Sequence, residues 1–157
     1  MEAMHLTLLS LAGAYGAFVV SALVPWVNAE VLLLSMMPFV RSWGDAAVLV
    51  VVATAGQITG KVAIYWLGRV AGDAGVTGAR YQPVVERWRE RMTRRPGSAV
   101  SLLFFSATVG VPPFYVLTAL AGALRVRFAA FVAAGTIGRL LHFGLIAAPA
   151  FALAAPR

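Results

Sequence analysis

Apolar residues in this chain do not alternate with polar ones as in a half-buried helix or strand. They fall into four long blocks, separated by short polar or proline-bearing breaks. A hydrocarbon core of about 30 Å takes about 20 apolar helical residues, and that length is the gauge for each block. The first block, Leu6 to Val40, is too long for one helix and is interrupted by Pro25, Asn28, Glu30 and Pro38. It predicts a spanning helix ending near Pro25, then a short apolar piece, Val31 to Met37, that cannot span. A short piece beside a proline marks a re-entrant or discontinuous helix, whose released backbone groups must face protein or a wet cavity. The second block, Ala46 to Gly68, has spanning length and carries Gly56, Gln57, Gly60 and Lys61, so it faces other helices and not lipid alone. The third, Ser98 to Leu124, is broken at its middle by Gly110-Val111-Pro112-Pro113, where a continuous helix would lose a backbone hydrogen bond and clash with the preceding turn. It predicts a second hairpin. The fourth, Phe128 to Leu153, has spanning length and holds Arg139 near its centre.

Between the second and third blocks the character changes. Arg69, Arg80, Arg87, Arg89, Arg91, Arg94 and Arg95 stand against Asp73, Glu86 and Glu90, a local balance of seven minus three, or +4. Arginine-rich loops stay on the cytoplasmic side, which places loop 69–95 inside. Within it Tyr81, Val85, Trp88 and Met92 recur at steps of three and four. That spacing predicts an amphipathic helix over 81–95, lying on the membrane surface or packed on the protein's own loops. If the third block turns back as a hairpin, Arg125 and Arg127 also fall inside; as a plain span it would leave both outside. The expected fold is therefore an all-α integral membrane protein, one domain over 1–157. A broken segment (6–40) and a span (46–68), then a broken segment (98–124) and a span (128–153), flank the surface helix as a loose inverted repeat. Paired interruptions of this kind point to a transport site between two repeats.

Composition strengthens the membrane reading. The 157 residues are 61% hydrophobic and 12% charged, against about 45–50% and about 25% in a soluble domain. One small globule cannot hide that excess, so lipid is the solvent. The chain has no cysteine, which excludes disulfides and thiolate metal sites, and His5 and His142 lie far apart without a ligand pattern. No metal and no cofactor are expected. The formal charge of +7 sits mostly on arginines gathered in one loop, a distribution that fits topology better than nucleic acid. Met1-Glu2-Ala3-Met4-His5 lacks the positive start of a secretory signal, so the first segment is expected to stay in the mature protein.

Few residues are left to carry chemistry. A charge near the bilayer centre costs about 2.5–3.5 kcal/mol on insertion scales, so intramembrane Glu30, Lys61 and Arg139 each need a partner or a role. Glu30 either acts at a site or caps the short helix that follows it. Arg139 is too far from its helix ends to reach water easily, and its planar guanidinium suits a phosphate or a carboxylate; it binds a headgroup, neutralises Glu30, or both. Lys61 is the one lysine of the chain. Gly56 and Gly60, four apart, form a close-packing face, with Gln57 placed to bond across it. Pro25, Pro112 and Pro113 leave helix starts within the membrane, whose N–H groups carry partial positive charge toward an anion.

Three stretches resemble the DedA superfamily, also called the SNARE-associated or VTT-domain proteins, and within it the short YqaA-like bacterial branch. Pro25-Trp26-Val27-Asn28-Ala29-Glu30-Val31-Leu32-Leu33-Leu34 is similar to the family's first hairpin. Gly56-Gln57-Ile58-Thr59-Gly60-Lys61, continuing through Tyr65 to Gly68-Arg69, resembles its glycine-spaced span. Pro112-Pro113-Phe114 through Ala121-Gly122, with Phe128, Phe131 and Gly138-Arg139, resembles the second hairpin and the span after it. The resemblance implies two opposed re-entrant hairpins and movement of lipids, polyprenyl-phosphate carriers or phospholipids, with proton coupling in some members. It puts the family's acidic role on Glu30. Many members carry a basic residue near the second hairpin's proline, where this chain has Ser106 and Pro113, leaving Arg139 or Lys61 to supply the cation.

The function expected is a flippase or scramblase of phosphate-headed lipids in the inner membrane. The partners are lipids, protons as a coupling ion and, for the chain itself, a homo-oligomer. A small proton-coupled exporter and a non-transporting assembly subunit are the alternatives. Arg94-Arg95-Pro96 faintly resembles a lipid-phosphatase element, but the histidine nucleophile and its partners that such an enzyme needs are missing, so no enzyme is expected.

Overall fold

A computed structural model describes residues 8–74, 83, 86, 87, 90, 96–111 and 113–154. Tyr81, Val85, Trp88 and Met92 of the expected surface helix, and Pro112, lie outside these residues. Among those described, every regular element is helical: α1 (Leu8–Leu23), α2 (Ala29–Met36), a 3-10 turn (Met37–Phe39), α3 (Trp43–Asp73), α4 (Pro96–Val109), α5 (Phe114–Ala123) and α6 (Phe128–Ala154).

The first break follows from its residues. Val24 still bonds back to the Val20 carbonyl, but Pro25 has no N–H to continue the ladder. Asn28, in extended conformation, caps α2 by accepting from the N–H groups of Glu30 (2.8 Å) and Val31 (3.2 Å). Helix α2 thus starts four residues beyond Pro25, which corrects the expectation of an open helix start at that proline. The second break turns at Gly110, whose φ of +86° is the left-handed region that glycine enters at little cost. Pro113 stands at the N-cap of α5 without a side-chain hydrogen bond.

Helix α3 is longer than the apolar run that announces it, Ala46 to Gly68. At its start Ser42 Oγ accepts from Asp45 N–H (3.0 Å), while Asp45 Oδ2 accepts from the N–H groups of Ser42 (3.1 Å) and Arg41 (3.2 Å). This reciprocal cap carries the helix three residues upstream. At 31 residues α3 is about 46 Å long, more than a bilayer core requires. The expected 128–153 span is α6, which continues through Pro149 to Ala154.

The chain forms two compact units, Met1–Gly60 with Arg139–Arg157, and Lys61–Gly138. Each holds one broken hairpin and one part of each long helix. The loose repeat expected from the sequence pairs each hairpin with the span that follows it; the structure instead divides both spans between the units.

In the first unit Ala29, Leu33 and Met37 repeat every four residues along α2 and its extension. They form a core with Ala14 and Phe18 of α1, Leu49 and Ala53 of α3, and Phe143, Ala147 and Phe151 of α6. Gly56 and Gly60 bring α3 onto α1. A Cβ on Gly56 would meet the Tyr15 carbonyl oxygen at 2.6 Å, and one on Gly60 the Ala22 Cβ at 2.5 Å. In the second unit Gly68 and Gly72 repeat the device against the Ala119 and Ala123 backbone of α5, and Gly122 answers from α5 against the Tyr65 carbonyl.

The outer surface is apolar: Val51, Leu67, Phe105, Ile137, Leu141 and Leu145 are exposed, while Gln57, Lys61, Ser106, Thr118 and Arg139 are buried. This inverts the arrangement of a water-soluble protein and suits a chain whose solvent is hydrocarbon.

Candidate functional site

The first unit gathers three ionisable side chains. The Asn28 cap fixes the first turn of α2, where Glu30 sits and where the helix dipole favours a carboxylate. Its Oε1 is 2.9 Å from His142 Nε2 and 4.0 Å from Arg139 Nη1. Both partners come from α6, three residues apart and so on one face. Arg139 is only 8% exposed and its guanidinium lies 5.6 Å from the ring centre of Phe143, one helical turn further on. Phe143 is itself fully buried and packs on Phe18 of α1, which holds the face in place. Glu30 keeps about a third of its side chain exposed. The cluster is therefore firmly backed yet open on the carboxylate side.

The residues singled out from sequence divide accordingly. Glu30 and Arg139 are brought together. Asn28 acts as the cap that Glu30 was weighed for, and positions that carboxylate. Gln57 gives its amide to α1, donating to Ser21 Oγ at 2.6 Å and the Phe18 carbonyl at 3.4 Å. Its expected bond across the glycine face is made. Pro25 stands in the turn before Asn28, and Gly56, Gly60 and Gly122 lie in the helix seams. Lys61 opens the second unit, 4% exposed, with its ammonium 6.0 Å from the ring centre of Tyr115 in the first turn of α5. Pro113 belongs to that unit too.

His142 was missed as a partner of Glu30. The spacing of Arg139 and His142 was visible, but 112 residues separate His142 from the carboxylate, and no local pattern carries that distance.

Groups of three or more metal-ligating side chains are absent among the described residues. The arrangement offers a carboxylate, an imidazole and a guanidinium, a set that binds anions and exchanges protons. Such a cluster in an apolar-surfaced helical protein, with α3 and α6 each long enough to cross a bilayer, belongs to a membrane protein. The VTT domain profile matches residues 24–149, a stretch that begins at the first break, just after α1, and holds the second hairpin and all three cluster residues, and the chain belongs to that family, the DedA or SNARE-associated proteins. The family is associated with membrane transport and is regarded as one of transporters rather than enzymes. No curated protein and no solved structure matches the chain.

Proposed function

We propose that this protein moves phosphate-headed lipids across the membrane, as a flippase or scramblase, and that Glu30, His142 and Arg139 receive the headgroup. One observation carries the reading: an ionic cluster, half open, on a unit whose outer surface is hydrocarbon. A lipid passing such a protein keeps its chains in an apolar medium while its phosphate needs a polar stop. Arg139 supplies a planar donor fork, and Glu30 neutralises it when no anion is present. A cationic cargo fits poorly, because both neighbours of the one carboxylate are themselves cations or able to become so. Lys61 and the α5 start belong to the second unit and are not assigned to this headgroup site.

In this reading the whole chain works as one multi-pass domain of the inner membrane, with loop 69–95 on the cytoplasmic side. The test uses purified protein in vesicles with three labelled lipids: a polyprenyl phosphate, phosphatidylglycerol and a glycosyl diacylglycerol without phosphate. Faster movement of the first or second, and not of the third, supports the proposal. If no phosphate-headed lipid outpaces protein-free vesicles, the proposal is wrong.

A further inference from the structure

In the second unit, helices α4 and α6 approach most closely at Gly138. A Cβ there would meet the Ala107 Cβ at 2.6 Å and the Phe104 carbonyl oxygen at 3.0 Å. Toward the start of both helices the small side chains of Ala130 and Ala134 leave room that larger ones would fill. An open groove of about 650 Å³ results, walled by Ser101, Phe104, Phe105, Ala130, Ala134 and Ile137 among others. That size lies within the range of ligand pockets, about 300–1,000 Å³. Ser101 is the one polar side chain in the wall, and its hydroxyl donates to the Gly97 carbonyl at 3.0 Å. What fits such a groove is hydrocarbon.

One end of the groove is charged. Arg127 is exposed and immediately precedes α6, three residues before Ala130 and seven before Ala134, the spacing of one helix face. The aromatic residues beside that helix start are those of a membrane interface. Trp66 and Phe128 are exposed with ring centres 5.8 Å apart, and the Arg69 guanidinium lies 5.3 Å from the Trp66 ring centre. The groove thus runs from headgroup depth into the hydrocarbon, about 10 Å along α6 from Ala130 to Ile137.

A second copy of the chain fits this face poorly. Two copies inserted the same way are related by a two-fold axis along the bilayer normal, so each Arg127 would meet its own counterpart at the same depth. An amphiphile with an apolar tail and an anionic head matches wall and mouth together. We infer that the groove between α4 and α6 holds one hydrocarbon chain of an anionic phospholipid, whose headgroup pairs with Arg127. This is a resident lipid of the second unit, separate from the headgroup site proposed around Glu30, and the two stand or fall independently.

The test places the full chain in phosphatidylcholine vesicles with a trace of a photoactivatable probe, either phosphatidylglycerol or phosphatidylcholine, each with a diazirine on its acyl chain. Crosslinked positions are read by mass spectrometry. The phosphatidylglycerol probe should label residues 101–105 and 130–137 about fivefold more than the phosphatidylcholine probe, the ratio that about 1 kcal/mol for one arginine near the headgroups gives. Arg127→Gln should be labelled equally by the two probes. Arg41→Gln, a change at an exposed arginine of the first unit, should keep the wild-type ratio. Ala130→Phe, which fills the groove, should lose labelling there with either probe while other lipid-facing helices keep theirs. Equal labelling by the two probes in wild type, a preference that survives Arg127→Gln, or groove labelling unchanged in Ala130→Phe overturns the inference. Weak labelling by both probes, in a chain that runs as a dimer until Ala130→Phe is introduced, gives the groove to a second copy and overturns it as well. If Ala130→Phe does not fold, the comparison of wild type with Arg127→Gln still decides.

Discussion

The two units share a plan and differ in what fills it. Each packs a broken hairpin on a glycine-spaced part of α3, with Gly56 and Gly60 serving one and Gly68 and Gly72 the other. In the first unit α6 contributes Arg139 and His142, and the hairpin contributes Glu30 from a capped helix start. In the second unit α6 contributes Phe131, which stacks on Tyr65 with centres 4.9 Å apart, and Gly138, which brings α6 onto Ala107 of α4. The second unit also has an open groove of about 650 Å³, walled by Phe104, Phe105, Ala130, Ala134 and Ile137 among others. Two of its hairpin hydroxyls donate to their own helices, Thr108 to the Phe104 carbonyl and Thr118 to the Phe114 carbonyl, each at 2.8 Å. The same frame thus carries a carboxylate–imidazole–guanidinium cluster in one unit and, in the other, aromatic and small-residue packing beside the buried Lys61, so the frame itself does not make the site.

The largest effect should come from removing the cluster's fixed cation. Arg139→Ala is expected to lower lipid movement by about tenfold or more, since it removes the fixed donor to the phosphate and a hydrogen bond to a charged group contributes about 1.5–3 kcal/mol. A vesicle assay on folded protein checks this, and a variant as fast as wild type would erase the distinction between the units. Next comes the seam of the second unit. Gly122→Ala drives a methyl into the Tyr65 carbonyl and the Arg69 nitrogen, both backbone atoms that cannot swing aside. A loss of about 1–3 kcal/mol is expected in thermal unfolding. Gly13→Ala, with open space around it, should cost nothing measurable.

A smaller effect is expected at Asn28. Asn28→Ala removes the α2 cap, at about 1 kcal/mol. It also loosens the aim of Glu30, so transport should fall, though less than in Arg139→Ala. The smallest belongs to Arg125, which holds a left-handed φ of 55° after α5 and pairs with Asp73 at 2.7 Å on the surface. Glycine there relieves backbone strain of about 1 kcal/mol and gives up an exposed ion pair worth about 0–1 kcal/mol. Arg125→Gly should therefore leave stability within about 1 kcal/mol of wild type. A larger change would mean that the Asp73 pair matters more than its exposure suggests.

Much of the frame was readable because its causes are local. Pro25 and Pro113 stand at the two breaks between apolar helices, and apolar length alone separated α3 and α6 from the hairpins. The start of α3 was missed by three residues, because Ser42 and Asp45 form a cap that hydropathy does not register. Gly56 and Gly60 were recognised as a packing face, whereas Gly68 and Gly72, at the same spacing, were overlooked because they lie near the edge of the apolar run. At the site, the charged residues announced themselves by depth, and Asn28 by its place before Glu30. The bond between Glu30 and His142 was not legible, since it joins two helix faces that only the packing of α2 on α6 brings together.

The central claim is that the ionic cluster of the first unit moves the lipid. Its most direct test compares transbilayer movement of labelled phosphatidylglycerol in vesicles holding wild type, Glu30→Gln or Thr118→Val. Glu30→Gln keeps the shape and removes the charge; Thr118→Val makes an equally small change at a buried polar group of the second unit. The account predicts movement well below the wild-type rate for Glu30→Gln, though less reduced than in Arg139→Ala, and wild-type movement for Thr118→Val. Equal rates in the two variants would contradict it.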